Sequence, residues 1–236
     1  MGELEFPKGF LEPEGRPLIE ASLRRLRLSG VERVVIVTGH QAHFYEKLAG
    51  VECVYNPHYA ESGSLYSLWC ASQHMTEDFL LLESDILYEQ RALEELQKAP
   101  WSDCILLSGA THSGDEVYVE TEGHNLKAMS KDRSRLGPQI AGELVGITRV
   151  SQGLFRALCE WAEIRRAETL YWDYETDGLV GCAQSRAIHC LTVEDLVWGE
   201  IDDAHHLQRA LTTVVPRLRS IVQADLKNQG TALWPR

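Results

Sequence analysis

The sequence predicts an α/β protein with a mainly parallel sheet and helices on both faces. Three observations carry this. Short β-branched or apolar runs alternate with helical periodicities as far as Ser108, the rhythm of strands joined by crossover helices. One run, Leu80-Leu81-Leu82, breaks off abruptly into Glu83-Ser84-Asp85, as a buried strand does where it delivers carboxylates to the end of a sheet. The chain of 236 residues, 44% hydrophobic, suffices for one large α/β domain.

The elements follow in order. Leu18, Ile19, Leu23 and Leu26 fall at helical spacing behind Pro17, and Gly30 is placed to end that helix. Arg33 to Thr38 reads as a buried strand, Gln41 to Leu48 as a short helix and Val51 to Val54 as a brief strand. Asn56-Pro57 opens a polar loop, and Ser64 to His74 reads as a helix. Asp78 to Leu82 is the strand ending at the acids, Glu89 to Lys98 a helix and Asp103 to Ser108 a further strand. The rhythm then changes. Glu116 to Glu120, Leu126 to Met129 and Glu143 to Thr148 read as antiparallel strands, and Ser151 to Arg166 and Trp172 to Cys182 as helices. Arg186 to Leu191 reads as a strand, and Asp203 to Leu218 as a helix interrupted or ended near Pro216. A single domain over residues 1–222 and a polar, loose tail over 223–236 is the simplest division.

Composition narrows the function. The net charge of −12 disfavours nucleic-acid binding, which needs a basic face. No run approaches the ~18 apolar residues of a membrane span, and the acidic start Met1-Gly2-Glu3-Leu4-Glu5-Phe6 does not read as a signal peptide. The six cysteines are scattered without a CxxC pair, and read as buried free thiols of a cytoplasmic protein.

Asp85, at the end of its strand, is placed to hold Mg²⁺ against a phosphorylated substrate. Capping of a following helix by Ser84 or Asp85 accounts for the same residues equally well. Glu200-Ile201-Asp202-Asp203 could close on the same metal, or favour the dipole at a helix N-terminus. In Glu168-Thr169-Leu170-Tyr171-Trp172-Asp173-Tyr174-Glu175, aromatics alternate with acids. Such a run suits a cationic amine, each good aromatic contact contributing roughly 0.5–2 kcal/mol, but suits an aromatic helix start packed on the core as well. The adjacent His205 and His206 do not suggest a transition-metal site, because neighbours on a helix point to different faces.

A resemblance adds to this. Pro7-Lys8-Gly9-Phe10-Leu11-Glu12-Pro13 with Gly15-Arg16-Pro17-Leu18-Ile19 looks like the segment after the glycine loop of nucleotidyltransferases. With Asn56-Pro57-His58-Tyr59, Ser67-Leu68-Trp69, Ser84-Asp85, Gly142-Glu143-Leu144-Val145-Gly146-Ile147 and Glu200-Ile201-Asp202, most of the chain resembles small cytidylyltransferases acting on phosphocholine or 2-aminoethylphosphonate. The resemblance implies a Rossmann-like three-layer α/β/α sandwich of the nucleotide-diphospho-sugar transferase type. It implies CTP and a small zwitterionic phosphate or phosphonate as partners, Mg²⁺ as cofactor and pyrophosphate as product. It assigns Lys8, Asp85 and Asp202 to catalysis, with Asp85 and Asp202 on the metal. Lys8, Asn56, Ser62, Ser67 and Asp85 fall to the nucleotide. Lys131, Glu143, Tyr171, Trp172, Tyr174 and Glu200 fall to the acceptor.

The sequence departs from that pattern at its start. Only a few residues precede Pro7-Lys8, and none forms the strand and glycine loop that the family uses to cradle the triphosphate. Either the natural start lies upstream or part of the nucleotide site is lost. Ser62-Gly63-Ser64 also stands where asparagines are expected. A sugar-phosphate nucleotidyltransferase and a non-catalytic ligand- or partner-binding relative are the alternative readings. A homodimer is compatible with the sequence.

Overall fold

The computed structural model describes residues 6–231. After a 3₁₀ turn at Lys8–Phe10 the chain enters α1 (Leu18–Leu28), which buries Leu18, Ile19, Leu23 and Leu26 as the spacing predicts. β1 (Val35–Thr38) and β2 (Glu52–Tyr55) pair in parallel. Between them the sequence predicts an α-helix, but Ala42–Lys47 is 3₁₀. Gln41 at its head adopts φ 53°, a left-handed residue that a regular α-helix does not include.

Next come α2 (Ser64–Cys70), β3 (Phe79–Leu82), β4 (Ile86–Tyr88), α3 (Arg91–Lys98) and β5 (Cys104–Ser108). β6 (Tyr118–Glu122) and β7 (Asn125–Ser130) form a hairpin, followed by β8 (Ile140–Val150) and α4 (Gln152–Arg165). The chain ends through α5 (Val180–Ala183), β9 (His189–Val193), β10 (Trp198–Glu200), α6 (Ala204–Arg209) and α7 (Val215–Thr231).

The six-stranded sheet has the order β3-β8-β5-β9-β7-β6. It is mixed, but not mainly parallel as expected. β5 and β9 pair in parallel, whereas the other neighbours in this sheet are antiparallel. The cause is β8, which lies antiparallel between β3 and β5, two strands that themselves run the same way. Every residue from Glu143 to Thr148 is buried, so β8 requires cover on both faces and occupies an interior position. β1 and β2 stand as a separate two-stranded sheet. Among the described residues, β1 and β3 each pair along one edge.

β5 shows the layering. Ile105 and Leu107 pack with Leu65 of α2 and Leu154 and Leu158 of α4. Cys104 and Leu106 pack on the other face with Leu26 of α1 and Leu93 and Leu96 of α3. This alternation makes the three-layer sandwich, each fully buried leucine or isoleucine contributing about 1.5–3 kcal/mol.

Other differences from the sequence expectations have local causes. β4 and β10 were not anticipated; they pair antiparallel with Glu200 opposite Ile86, and strands of three residues carry no periodicity to read. The predicted helix Trp172 to Cys182 is a wide π turn, Tyr174–Leu179, leading into α5. A second wide turn, Ala210–Val214, joins α6 to α7. Pro216 donates no N–H and would press on the carbonyl of Thr212 in a regular helix; the wide turn just ahead accommodates it, and the helix continues. The predicted loose tail is therefore helical from Gln223 to Thr231. Residues 1–5 and 232–236, which include the start discussed above and the end of that tail, lie outside the described residues. Among the described residues no helix is long and apolar enough to cross a membrane.

Candidate active site

Beyond Leu82, β3 gives way to the loop of Glu83, Ser84 and Asp85. The Glu83 N–H donates to the Gly146 carbonyl at 3.0 Å, which latches this loop to β8. The Asp85 carbonyl accepts from the Ile201 N–H at 3.0 Å, and the β4–β10 pairing continues from there. The two acidic segments, remote in sequence, thus meet at one corner. The helix-capping alternative for Ser84 and Asp85 does not apply, because β4 follows them. Capping falls to Asp203 instead, whose Oδ1 accepts from the His206 N–H at 2.8 Å at the start of α6.

Lys8 closes the corner. Its Nζ contacts the Asp202 carboxylate and lies 3.5 Å from Asp85 Oδ2. Its neighbour Gly9 fits tightly, since a Cβ there would lie 3.0 Å from the Tyr45 hydroxyl. Burial alone would lower the pKa of the Lys8 ammonium; Asp202 and Asp85 outweigh it, and the pKa is raised. Burial raises Asp85 despite Lys8. Burial also acts to raise Asp202, but there the contact with Lys8 prevails and the carboxyl is held low.

A cavity of about 230 Å³ adjoins this corner. Its wall carries eight carboxylates, among them Glu83, Asp85, Asp115, Glu143, Glu175 and Glu200, and the cations Lys131 and Arg209. Burial pushes Glu83 up to about 7, against the hydrogen bond it accepts from the Tyr174 hydroxyl at 2.7 Å. Burial brings Glu175 to about 7 as well. Glu200 reaches about 8 through burial and the charges of Asp85 and Glu83. Protons, bound cations and hydrogen-bond donors each relieve such crowding.

Glu83, Asp85 and Glu200 each bring a carboxylate oxygen within 4.8 Å of the others, and so do Asp115, Glu200 and Asp202. All-oxygen donor sets suit a hard divalent cation such as Mg²⁺. Asp203, His205 and His206 also approach one another. Their groups have other roles, however: Asp203 caps α6, and His206 Nδ1 accepts from the Asp202 N–H at 3.3 Å.

The sequence-derived candidates divide into three sets. Lys8, Asp85 and Asp202 meet at the corner. Asp85, Lys131, Glu143, Tyr174 and Glu200 line the cavity. Asn56, Ser62 and Ser67 form their own hydrogen-bonded group beyond β2, the Asn56 amide donating to both serine hydroxyls at 3.0 Å. Two candidates do not join the cavity wall. Tyr171 is 63% exposed. Trp172 stands edge-on to Trp161 at 5.4 Å and beneath Arg165, packed on the core. The run of aromatics therefore does not close as a cage: its alternation sends Tyr171 to solvent, Trp172 to the core and Tyr174 to the cavity.

The model of the MobA-like NTP transferase domain matches residues 1–179. The chain belongs to that family. As a MobA-like NTP transferase it is a nucleotidyltransferase, and its fold agrees. The inositol-1-phosphate CTP transferase from T. maritima superposes with a TM-score of 0.74 at 17% identity, covering 91% of this chain and 88% of that one. The CTP:phosphocholine cytidylyltransferase of Streptococcus pneumoniae gives 0.67 at 14% identity, covering 88% and 89%. By sequence, the chain is 29% identical over 217 residues to the CMP-5'-(3-aminopropyl)phosphonate synthase of Streptomyces rubellomurinus, covering 84% of this chain but 34% of that protein. It is 24% identical over 220 residues to the choline-phosphate cytidylyltransferase of Haemophilus influenzae, covering 87% and 88%. The chain thus spans about a third of the first of these relatives and most of the second.

Sequence reasoning passed over parts of this transferase's cavity. Glu83 and Glu175 stood in the two runs already singled out, beside Asp85 and Tyr174, but were given no place among the site residues. Arg209 donates to the Thr111 carbonyl at 2.8 Å and lines the cavity. In sequence it is one of several arginines on a long helix, with nothing to single it out.

Proposed function

We propose that this chain transfers CMP from CTP to a small amine-bearing phosphate or phosphonate and releases pyrophosphate, with Mg²⁺ held by the carboxylates around Asp85. The observation that carries this reading is the convergence of Asp85, Asp202 and Lys8 at the rim of a cavity that holds both an excess of acids and two cations. The names of the Streptomyces and Haemophilus relatives support the cytidylyl donor and the amine-bearing acceptor.

The chemistry suits the residues. The attacking oxygen of a phosphate or phosphonate is already anionic near neutral pH, with a second pKa of about 6, so no general base is required. The barrier lies in bringing two polyanions together and in the charge that builds on pyrophosphate. Lys8 is placed to neutralise the triphosphate, and Lys131 and Arg209 to steady the acceptor anion. Asp85 and Asp202, with Glu200 or Asp115, would hold the metal, which when bound supplies electrostatic stabilisation of the phosphates. The Asn56, Ser62 and Ser67 group would face the base and ribose.

Pyrophosphate release tests this reading, with CTP, Mg²⁺ and 2-aminoethylphosphonate or phosphocholine. Turnover is expected with CTP and at least one amine-bearing acceptor. Turnover confined to UTP with glucose 1-phosphate would instead establish the sugar-phosphate alternative.

A further inference from the structure

One part of the cavity wall has more hydrogen-bond acceptors than donors. Ser64 Oγ accepts from the Tyr174 N–H at 2.9 Å and lies 3.4 Å from Asp173 Oδ1 and 3.3 Å from Glu175 Oε2. A serine has one hydroxyl hydrogen, so it satisfies at most one of those carboxylates at a time. The Tyr174 hydroxyl is spent on Glu83 Oε1. Among the described residues, no lysine or arginine nitrogen lies within 4 Å of a carboxylate oxygen of Glu83, Asp173 or Glu175. This part of the wall therefore holds more acceptors than donors and no lysine or arginine charge, which suits a cationic ligand that carries N–H donors.

The two kinds of amine head named by the relatives differ in this respect. A primary ammonium carries three N–H donors. A trimethylammonium carries none and is recognised through aromatic faces. The aromatics that might have formed a cage are occupied elsewhere: Tyr171 stands in solvent and Trp172 packs on Trp161. Tyr174 and Trp198 are the tyrosine and tryptophan that line the cavity, and Trp198 is held in place by its indole N–H bond to Ser108 Oγ at 2.7 Å.

We infer that the acceptor is a primary ω-aminoalkyl phosphonate or phosphate, its ammonium held by Asp173, Glu175 and Glu83 and its anionic end turned towards Lys131 and Arg209. This rests on the transfer reading above and narrows it: a quaternary amine leaves the carboxylates without donors.

A matched pair of acceptors tests the inference on the full chain: 2-aminoethylphosphonate and its N,N,N-trimethyl derivative, each with saturating CTP and Mg²⁺. Loss of the charge-assisted N–H bonds should lower kcat/KM for the trimethyl compound at least about 100-fold. Equal or better turnover of the trimethyl compound overturns the inference while leaving the transfer reading intact. Turnover of glucose 1-phosphate and of neither amine overturns both. Glu175→Gln should raise the KM for 2-aminoethylphosphonate about tenfold or more, leave the KM for CTP unchanged and narrow the discrimination. A KM for the amine that does not move, in a variant melting as the parent does, counts against the inference. Should Glu175→Gln not fold, Asp173→Asn carries the same expectation.

Discussion

The Tyr174 hydroxyl donates to Glu83 Oε1 at 2.7 Å, tying the wide turn before α5 to the loop that ends β3. Tyr174 is only 4% exposed, and burial and the charge of Glu83 hold its pKa well above 10, so it acts as a fixed donor. Tyr174→Phe removes that donor and leaves a shielded acceptor without a partner. The expected cost is about 1–3 kcal/mol of stability, with a higher KM for the acceptor substrate. Calorimetric melting and acceptor titration check the two effects separately.

Asp85→Asn and Asp202→Asn should each lower kcat/KM by about 10²–10³. Neither should unfold the chain, because β4 and β10 are held by backbone pairing and not by these carboxylates. Pyrophosphate release and circular dichroism on the same samples decide the matter. A folded Asp85→Asn variant of near-normal activity would remove Asp85 from the metal.

The acid-rich cavity should make stability depend on pH. Glu83, Glu175 and Glu200 titrate at about 7, 7 and 8 in the fold, against an ordinary 4.5. Between those limits the folded chain binds more protons than the unfolded one. Their contribution is fully present below pH 4.5 and is lost as pH rises through 7 and 8. Asp202, held low, acts with the opposite sign, but in the more acidic range. The melting temperature without metal should therefore fall between about pH 5 and pH 8. Added Mg²⁺, which favours the ionised carboxylates, should flatten that slope. A melting temperature rising over this interval without metal would contradict the assignment.

Gly146 has φ +78°, and a Cβ there would lie 2.3 Å from Glu83 Oε2. Gly146→Ala thus combines a strained backbone with a displaced carboxylate. It should cost more than the about 1 kcal/mol of an ordinary glycine change and raise the acceptor KM. Denaturant titration and steady-state kinetics measure both.

Tyr171→Ala and Trp172→Ala should separate the two neighbours. The exposed Tyr171 should change stability by less than about 0.5 kcal/mol. The packed Trp172 should cost about 3 kcal/mol or more, with the KM for the amine little altered in whatever remains folded. A selective rise in that KM for either variant would restore the aromatic cage.

Much of this was legible in the sequence because each signal was local. The β-branched run of β1, the periodicity of α1 and the broken run at Glu83-Ser84-Asp85 can each be read without knowing what they touch. β4, β10 and the bracing of Glu83 by Tyr174 were not legible, because pairing between remote segments defines them. The aromatic run misled for a similar reason. Composition suggested one pocket for Tyr171, Trp172 and Tyr174, but side-chain direction gave them three environments.

The interior position of β8 also bears on how the chain acquires its fold. β3 and β5 have no hydrogen-bonded contact with each other; β8 joins them, and it is made long after both. During synthesis, β3 emerges with its sheet partner still unmade. Loop closure over such separations is slow and leaves apolar strands exposed meanwhile. The corner itself waits longer still, for β10 and Asp202. A nascent chain halted before residue 150 should thus lack the strand that joins β3 to β5, and protease resistance should rise only once β8, and after it α4, β9 and β10, have cleared the ribosome.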